Sequence, residues 1–196
     1  MTINVDALFY KLSHPRFLGM RGLSNDLPLF IQAYDVQKED VTSRRIEQLI
    51  DRLRLAGVEL AHVDLFDLSL EVLQASDWLD PILAREAALG KQRLLATLQN
   101  ATVPRDHLIP RLLAKIDAEG VRLSLLTGAG RAFPFLRAHM LLEALQPAMP
   151  RHPIVLFFPG QYDTGGAEAG SHLRLFGRPS LSKAYYRAFN LDHYQP

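Results

Sequence analysis

The turn Thr127-Gly128-Ala129-Gly130-Arg131 is the segment best equipped to hold an anion. It lies between an apolar run and a helix-forming stretch. Its backbone N–H groups and the helix start could together cradle a phosphate. Thr127, Gly128, Gly130 and Arg131 are therefore anion-site candidates, joined by Arg137 farther along. The same glycines equally suit a plain tight turn. The segment is not a P-loop: GxxxxGK followed by Ser or Thr occurs nowhere, and Gly90-Lys91 is followed by Gln92 inside a helical pattern. Nor is it the dinucleotide fingerprint GxGxxG. Asp64 closes an apolar run, as a magnesium-binding aspartate does in phosphoryl-transfer enzymes, but no phosphate loop accompanies it.

Arg137 stands out on pattern. A helix over 133–146 puts His139, Glu143 and Gln146 on one polar face, at about 100° per residue. Arg137 then falls on the opposite side, amid Phe133, Met140, Leu141 and Ala144. A guanidinium buried there unpaired would cost several kcal/mol. The expected partner is Asp35, Asp64 or Asp163; the alternative is a bound anion or another protein's carboxylate at the sheet edge.

Other chemistries find little support. Histidines 14, 62, 107, 139, 152, 172 and 193 show neither HxxxH nor HxH spacing, and His62 with Asp64 on one strand face makes only two ligands. There is no GxSxG elbow and no cysteine. Asp64 and Asp67 form an acid pair without a defined opposing acid. The expectation is a protein with no catalytic set, no metal and no cofactor. The aromatic and basic tail, Ser182 to Phe189, suits packing onto the domain, stacking on nucleic-acid bases, or a protein interface.

These residues need a scaffold, and the chain's periodicity supplies one. Helical spacing marks Val5 to Leu12 and residues 40–56, the latter with Ile46, Leu49, Ile50 and Leu53 on one stripe and Gly57 beyond its end. Apolar runs at Leu29 to Ile31, Val58 to Phe66, Val121 to Leu126 and Ile154 to Phe158 read as strands, and Leu173 to Phe176 as a short edge strand. Two or three helices lie between Ser69 and Glu119, and 159–172 looks loosely structured. Strands alternating with helices give right-handed βαβ units. The fold class is α/β: a mostly parallel sheet of about five strands with helices on both faces, Rossmann-like or P-loop-like without the phosphate loop. One domain over 1–196, with a helical insert around 69–119, fits the length. Ligands in such folds gather outside the carboxyl ends of the strands. Here those ends carry Asp35, Asp64 with Asp67, Thr127 to Gly130, and Gly160 to Asp163.

Charge is nearly balanced overall, at +1, but unevenly spread. Residues 35–90 hold twelve acidic and six basic side chains, whereas 91–196 hold seven and thirteen. Near-neutrality argues against a dedicated DNA coat. No apolar run nears the roughly 20 residues that span a bilayer, and no signal-peptide pattern opens the chain, so a cytoplasmic protein is expected.

Several segments taken together resemble the BrxB family of bacteriophage exclusion (BREX) defence systems. They are Phe17-Leu18-Gly19-Met20 through Gly22-Leu23, Pro28-Leu29-Phe30-Ile31 to Asp35, and Val63-Asp64-Leu65-Phe66-Asp67-Leu68 with Glu71. Leu125 to Gly130 through Phe133-Pro134-Phe135-Leu136-Arg137, Phe157 to Gly160 with Tyr162-Asp163, Leu173 to Gly177, and Tyr185 to Asn190 complete the series. Thr164 to Ser171 is longer than the family pattern. The resemblance implies a small accessory protein without an assigned enzymatic activity. It would work beside a DNA methyltransferase, a large ATPase and the alkaline-phosphatase-like PglZ, the partner most expected, with DNA reached indirectly through the complex. The alternative is a degenerate nucleotide- or nucleic-acid-binding α/β protein.

Overall fold

A computed structural model describes residues 2–21, 28–148, 150–164, 171–175 and 188–196. Helix α1 (Val5–Ser13) starts where Asn4 accepts from the Ala7 N–H, and Pro15 opens the short α2 (Pro15–Leu18). Strand β1 (Leu29–Tyr34) leads into α3 (Glu39–Leu55), whose buried Ile46, Leu49, Ile50 and Leu53 are the stripe read from the sequence. Strand β2 (Leu60–Asp64) runs straight into α4 (Leu65–Ala75). Helix α5 (Leu79–Ala101) and α6 (Ile109–Ile116) follow before β3 (Leu123–Thr127). Helices α7 (Ala129–Ala132) and α8 (Ala138–Leu145) precede β4 (Ile154–Thr164), and β5 (Ser171–Leu175) and β6 (Phe189–Asn190) complete the order.

The sheet order is β2-β3-β4-β1-β6, and every pairing along it is parallel. The α/β class, the parallel sheet and the helices on both faces are as the sequence leads one to expect. Alternation along the strands separates two cores. Phe30, Leu123, Leu125, Val155 and Phe157 face α1, α2 and α3. Leu29, Ile31, Val63, Leu126, Ile154, Leu156 and Phe158 face α4 and α6 to α8. A sheet buried on both faces needs apolar side chains at consecutive positions, which is why these strands read as unbroken apolar runs.

The connection leaving β1 therefore crosses one face while those leaving β2 and β3 cross the other. The change of side falls between β1 and β4, where open sheets of this kind form their crevice. Here β4 does not stop. Its register with β1 ends at Tyr34↔Pro159, and beyond it the strand pairs antiparallel with β5 from Gly160↔Leu175 to Thr164↔Ser171. A segment expected to be loose is thus a hairpin at both its ends. The β6 strand, absent from the sequence reading, is held by its neighbours: Leu191 is fully buried and Tyr194 packs edge-on against Phe17 and Phe30.

The continuous helix over 133–146 is not formed. Helix α7 already starts at Ala129, so Pro134 falls past the first turn, where a ring without an N–H cannot extend a helix. The chain turns through Phe133 to Arg137, with a cis Phe133–Pro134 bond, and helicity resumes at Ala138. The wheel that buried Arg137 therefore does not apply: Arg137 is exposed, in extended conformation just ahead of α8. Gly90, expected inside a helix, breaks α5 at φ +68° and ψ 158°. The aromatic and basic segment at 182–187 lies outside the described residues.

Candidate functional site

The carboxyl edge gathers its polar groups around one carboxylate. Asp64 is the last residue of β2 and the N-cap of α4. Its Oδ1 accepts from the backbone N–H groups of Phe66 at 2.9 Å and Asp67 at 3.2 Å. Those groups have no partner within the helix, so an aspartate is favoured there. Its Oδ2 accepts from the Thr127 hydroxyl at 3.2 Å and from Arg131 Nη2 at 2.5 Å. One carboxylate thus joins the end of β2, the start of α4, the end of β3 and α7.

Thr127 is placed by register, since it pairs with Asp64 across the β2–β3 ladder. Gly128 has φ +76°, and a Cβ there would overlap the Asp64 carboxylate, so glycine is required on both counts. His62 Nε2 lies 2.9 Å from Thr127 Oγ1. Because that hydroxyl donates to Asp64, the network assigns the Nε2–H tautomer to His62. Desolvation at the sheet edge lowers the His62 pKa while the charge of Asp64 opposes the shift, which keeps the ring neutral near pH 7.

Arg131 stacks 5.2 Å over the Phe66 ring and approaches Asp67 at 3.8 Å. Partial burial would lower its pKa, but the hydrogen bond and charge of Asp64, with Asp67 and Glu39 beyond, outweigh that and raise it. Farther along the edge, the Tyr34 hydroxyl donates to Glu39 at 2.8 Å; burial first, then that bond and the nearby acids, push its pKa up.

The structure thus brings together Thr127, Gly128 and Arg131 from the anion-site candidates, and adds Asp64, His62 and Asp67. Gly130 is the second residue of α7 and lies against Pro159 of β4. Arg137 is not part of the cluster; of its expected carboxylate partners, Asp64 is engaged by Arg131 instead. The arrangement is one of charge satisfaction. Asp64 takes four donors, and the arginine expected to meet a ligand is turned onto it. The sequence reading weighed a metal-binding role for Asp64 and set it aside for want of a phosphate loop, without naming it as a helix cap. The signal for its actual place was available: an aspartate immediately before the apolar-periodic run 65–75 is an N-cap. Among the described residues, no group of three His, Asp or Glu is disposed to hold a metal ion.

A sequence profile described as "BREX protein BrxB" matches residues 61–191. The chain belongs to the BrxB family. A "BREX protein BrxB" of Bacillus cereus (strain H3081.97) is 29% identical over 191 residues, covering 95% of each chain. Another, from Escherichia coli O9:H4 (strain HS), is 26% identical over 181 residues, covering 92% of this chain and 86% of its own. No solved structure matches the chain significantly. The stretch matched to BrxB runs from the second residue of β2 to the residue after β6. It holds His62, Asp64, Asp67, Thr127, Gly128 and Arg131, while Tyr34, Asp35 and Glu39 lie outside it. The chain is therefore a BREX-system component, and among its described residues no helix is long and apolar enough to cross a membrane.

Proposed function

We propose that the chain is a non-catalytic adaptor of a BREX phage-defence system, acting by binding other components, the alkaline-phosphatase-like PglZ first among them. The supporting observation is the engagement of Asp64 and Arg131 with one another. The cation that would meet a phosphate is committed to a carboxylate of the same chain, and the carboxylate that would meet a metal is committed to four internal donors. Beyond α7 the chain exposes Phe133, Arg137 and Met140, with Phe133 38% and Met140 43% exposed. Aromatic, arginine and methionine side chains are the types enriched where proteins dock.

Tagged protein expressed from its native locus, with the rest of its system present, tests this reading. Recovery of PglZ or another component in stoichiometric amount is the expected result; recovery of the chain alone contradicts it. A thermal-shift screen with nucleotides, with and without magnesium, addresses the nucleotide-binding alternative. The adaptor reading expects no shift, because Arg131 would first have to leave Asp64. Salt-dependent retention of DNA by the isolated chain would favour the nucleic-acid alternative.

A further inference from the structure

Strand β2 ends the sheet on one side, and among the described residues only β3 pairs with it. The Glu59 carbonyl, just ahead of the strand, accepts from the Arg122 N–H at 2.8 Å and so faces β3. Backbone groups alternate along a strand, so Ala61 and Val63 face β3 as well. Leu60 and His62 then direct their N–H and C=O groups away from the sheet. The neighbouring strand agrees: the Ser124 N–H points to the other side, donating to the Pro153 carbonyl at 2.9 Å. Donors and acceptors repeating every second residue are satisfied together by one kind of partner, an extended backbone.

The side chains flanking this edge indicate whose backbone it is. On one side lies α3, where Glu47, Asp51 and Arg54 share a stripe. Glu47 and Arg54 are near enough to His62 to act on its charge. On the other side a groove of about 260 Å³ runs beside β2, lined by His62, Val63, Asp67, Glu71 and Lys115 among others. Glu59 is exposed next to Leu60, and Asp64 is matched by Arg131. The unmatched balance is five acidic side chains, at 47, 51, 59, 67 and 71, against two basic ones, at 54 and 115, all exposed. Charges at an edge deter self-pairing, and a second copy joined antiparallel through β2 would set these acids against themselves. A basic strand meets no such penalty. Adjacent side chains of an added strand point to opposite faces. Two consecutive bases therefore reach both flanks, one toward Glu47 and Asp51, the next toward Asp67 and Glu71.

We propose that the free edge of β2 takes an extended segment of a partner protein carrying adjacent lysine or arginine residues, which adds a strand to the sheet. This rests on the adaptor reading only in giving the strand to a partner, and it uses neither Phe133 nor Arg137.

NMR of the full chain, titrated to millimolar with a capped peptide of about eight valines and threonines around a central lysine–arginine pair, tests it without PglZ. The expected result is saturable shifts centred on residues 60–64. Amide exchange at Leu60 and His62 should slow at least about tenfold, while Ala61 and Val63, already bonded to β3, change less. A twin peptide with glutamate in place of both bases should not bind. Glu47→Lys and Asp67→Lys should each weaken binding at least about threefold. His62→Pro removes an outward N–H and no ladder bond, so it should stay folded by circular dichroism and lose the peptide, whereas His62→Val should keep it. Unchanged exchange at Leu60 and His62, equal binding of the glutamate twin, or indifference to both charge reversals overturns the proposal. Each of these results stands whether or not PglZ binds the chain, so the adaptor reading fails or survives separately.

Discussion

Replacing Asp64 by alanine removes four hydrogen bonds from one point in the sheet edge. Loss of an aspartate N-cap costs about 1 kcal/mol. The Thr127 hydroxyl then loses its acceptor beside the sheet, about another 1 kcal/mol. The Arg131 contact is short, but its side chain is 53% exposed, so screening holds its contribution to about 0.5 kcal/mol. The sum is about 2–3 kcal/mol, or roughly 5–10 °C in Tm for a chain of this length. Asp64→Asn keeps an acceptor for the cap and loses the charge toward Arg131, so it should cost only about 1 kcal/mol. Gly128 supplies a coupled test. Gly128→Ala places a methyl into the Asp64 carboxylate and also strains a residue at φ +76°. In an Asp64→Ala background the overlap disappears and only the backbone penalty of about 1 kcal/mol remains. The two substitutions should therefore be sub-additive by at least about 1 kcal/mol. Urea unfolding followed by circular dichroism measures the four variants beside the wild type. Equal costs for Asp64→Ala and Asp64→Asn, or strict additivity with Gly128→Ala, would refute the view that this carboxylate ties the edge together.

Further expectations follow from the two sheet faces. His152 is buried, with Nε2 2.6 Å from Ser124 Oγ, and burial lowers its pKa against the opposing charge of Asp117. The unfolded state then binds the extra proton first, so His152 contributes stability above the ordinary histidine value of about 6.5 and loses it as pH falls below that. Unfolding free energies measured from pH 7.5 to 5.5 should decline toward acid, and the decline should shrink in His152→Gln. Leu191 is fully buried behind β6, so Leu191→Ala should cost about 2–5 kcal/mol by urea denaturation despite lying five residues from the chain end. Lys11 Nζ donates to the carbonyls of Leu191 at 2.8 Å and Asp192 at 3.0 Å. Lys11→Met should therefore speed amide hydrogen exchange around 189–194 more than elsewhere, and uniform exchange would count against that clamp.

The parallel sheet was legible because its strands are buried on both faces, leaving apolar runs bounded by Gly and Pro. Helix α3 was legible because one stripe of it is buried and the rest is wet. Sequence failed where a local rule met a tertiary one. Pro134 looks like a helix opener until α7 is seen to begin five residues earlier, and that shift alone takes Arg137 from an apolar stripe to an exposed turn. Gly90 sits among good helix formers, so periodicity runs through it although the backbone does not. Strand β6 is two residues long, below any periodic signal, and exists because Phe189 and Tyr194 pack on Phe30. Of the site, the turn and Arg131 could be named from sequence. Their partner could not, because the Asp64–Thr127 register belongs to strand pairing across 63 residues.

The adaptor reading is most directly tested with purified chain and purified PglZ from one system, mixed and followed by titration calorimetry. The account predicts saturable binding, and substitutions at Phe133 and Arg137 that weaken it at least about tenfold, near 1.4 kcal/mol, while leaving Tm unchanged. Absence of any complex at tens of micromolar, roughly −6 kcal/mol or weaker, would contradict it.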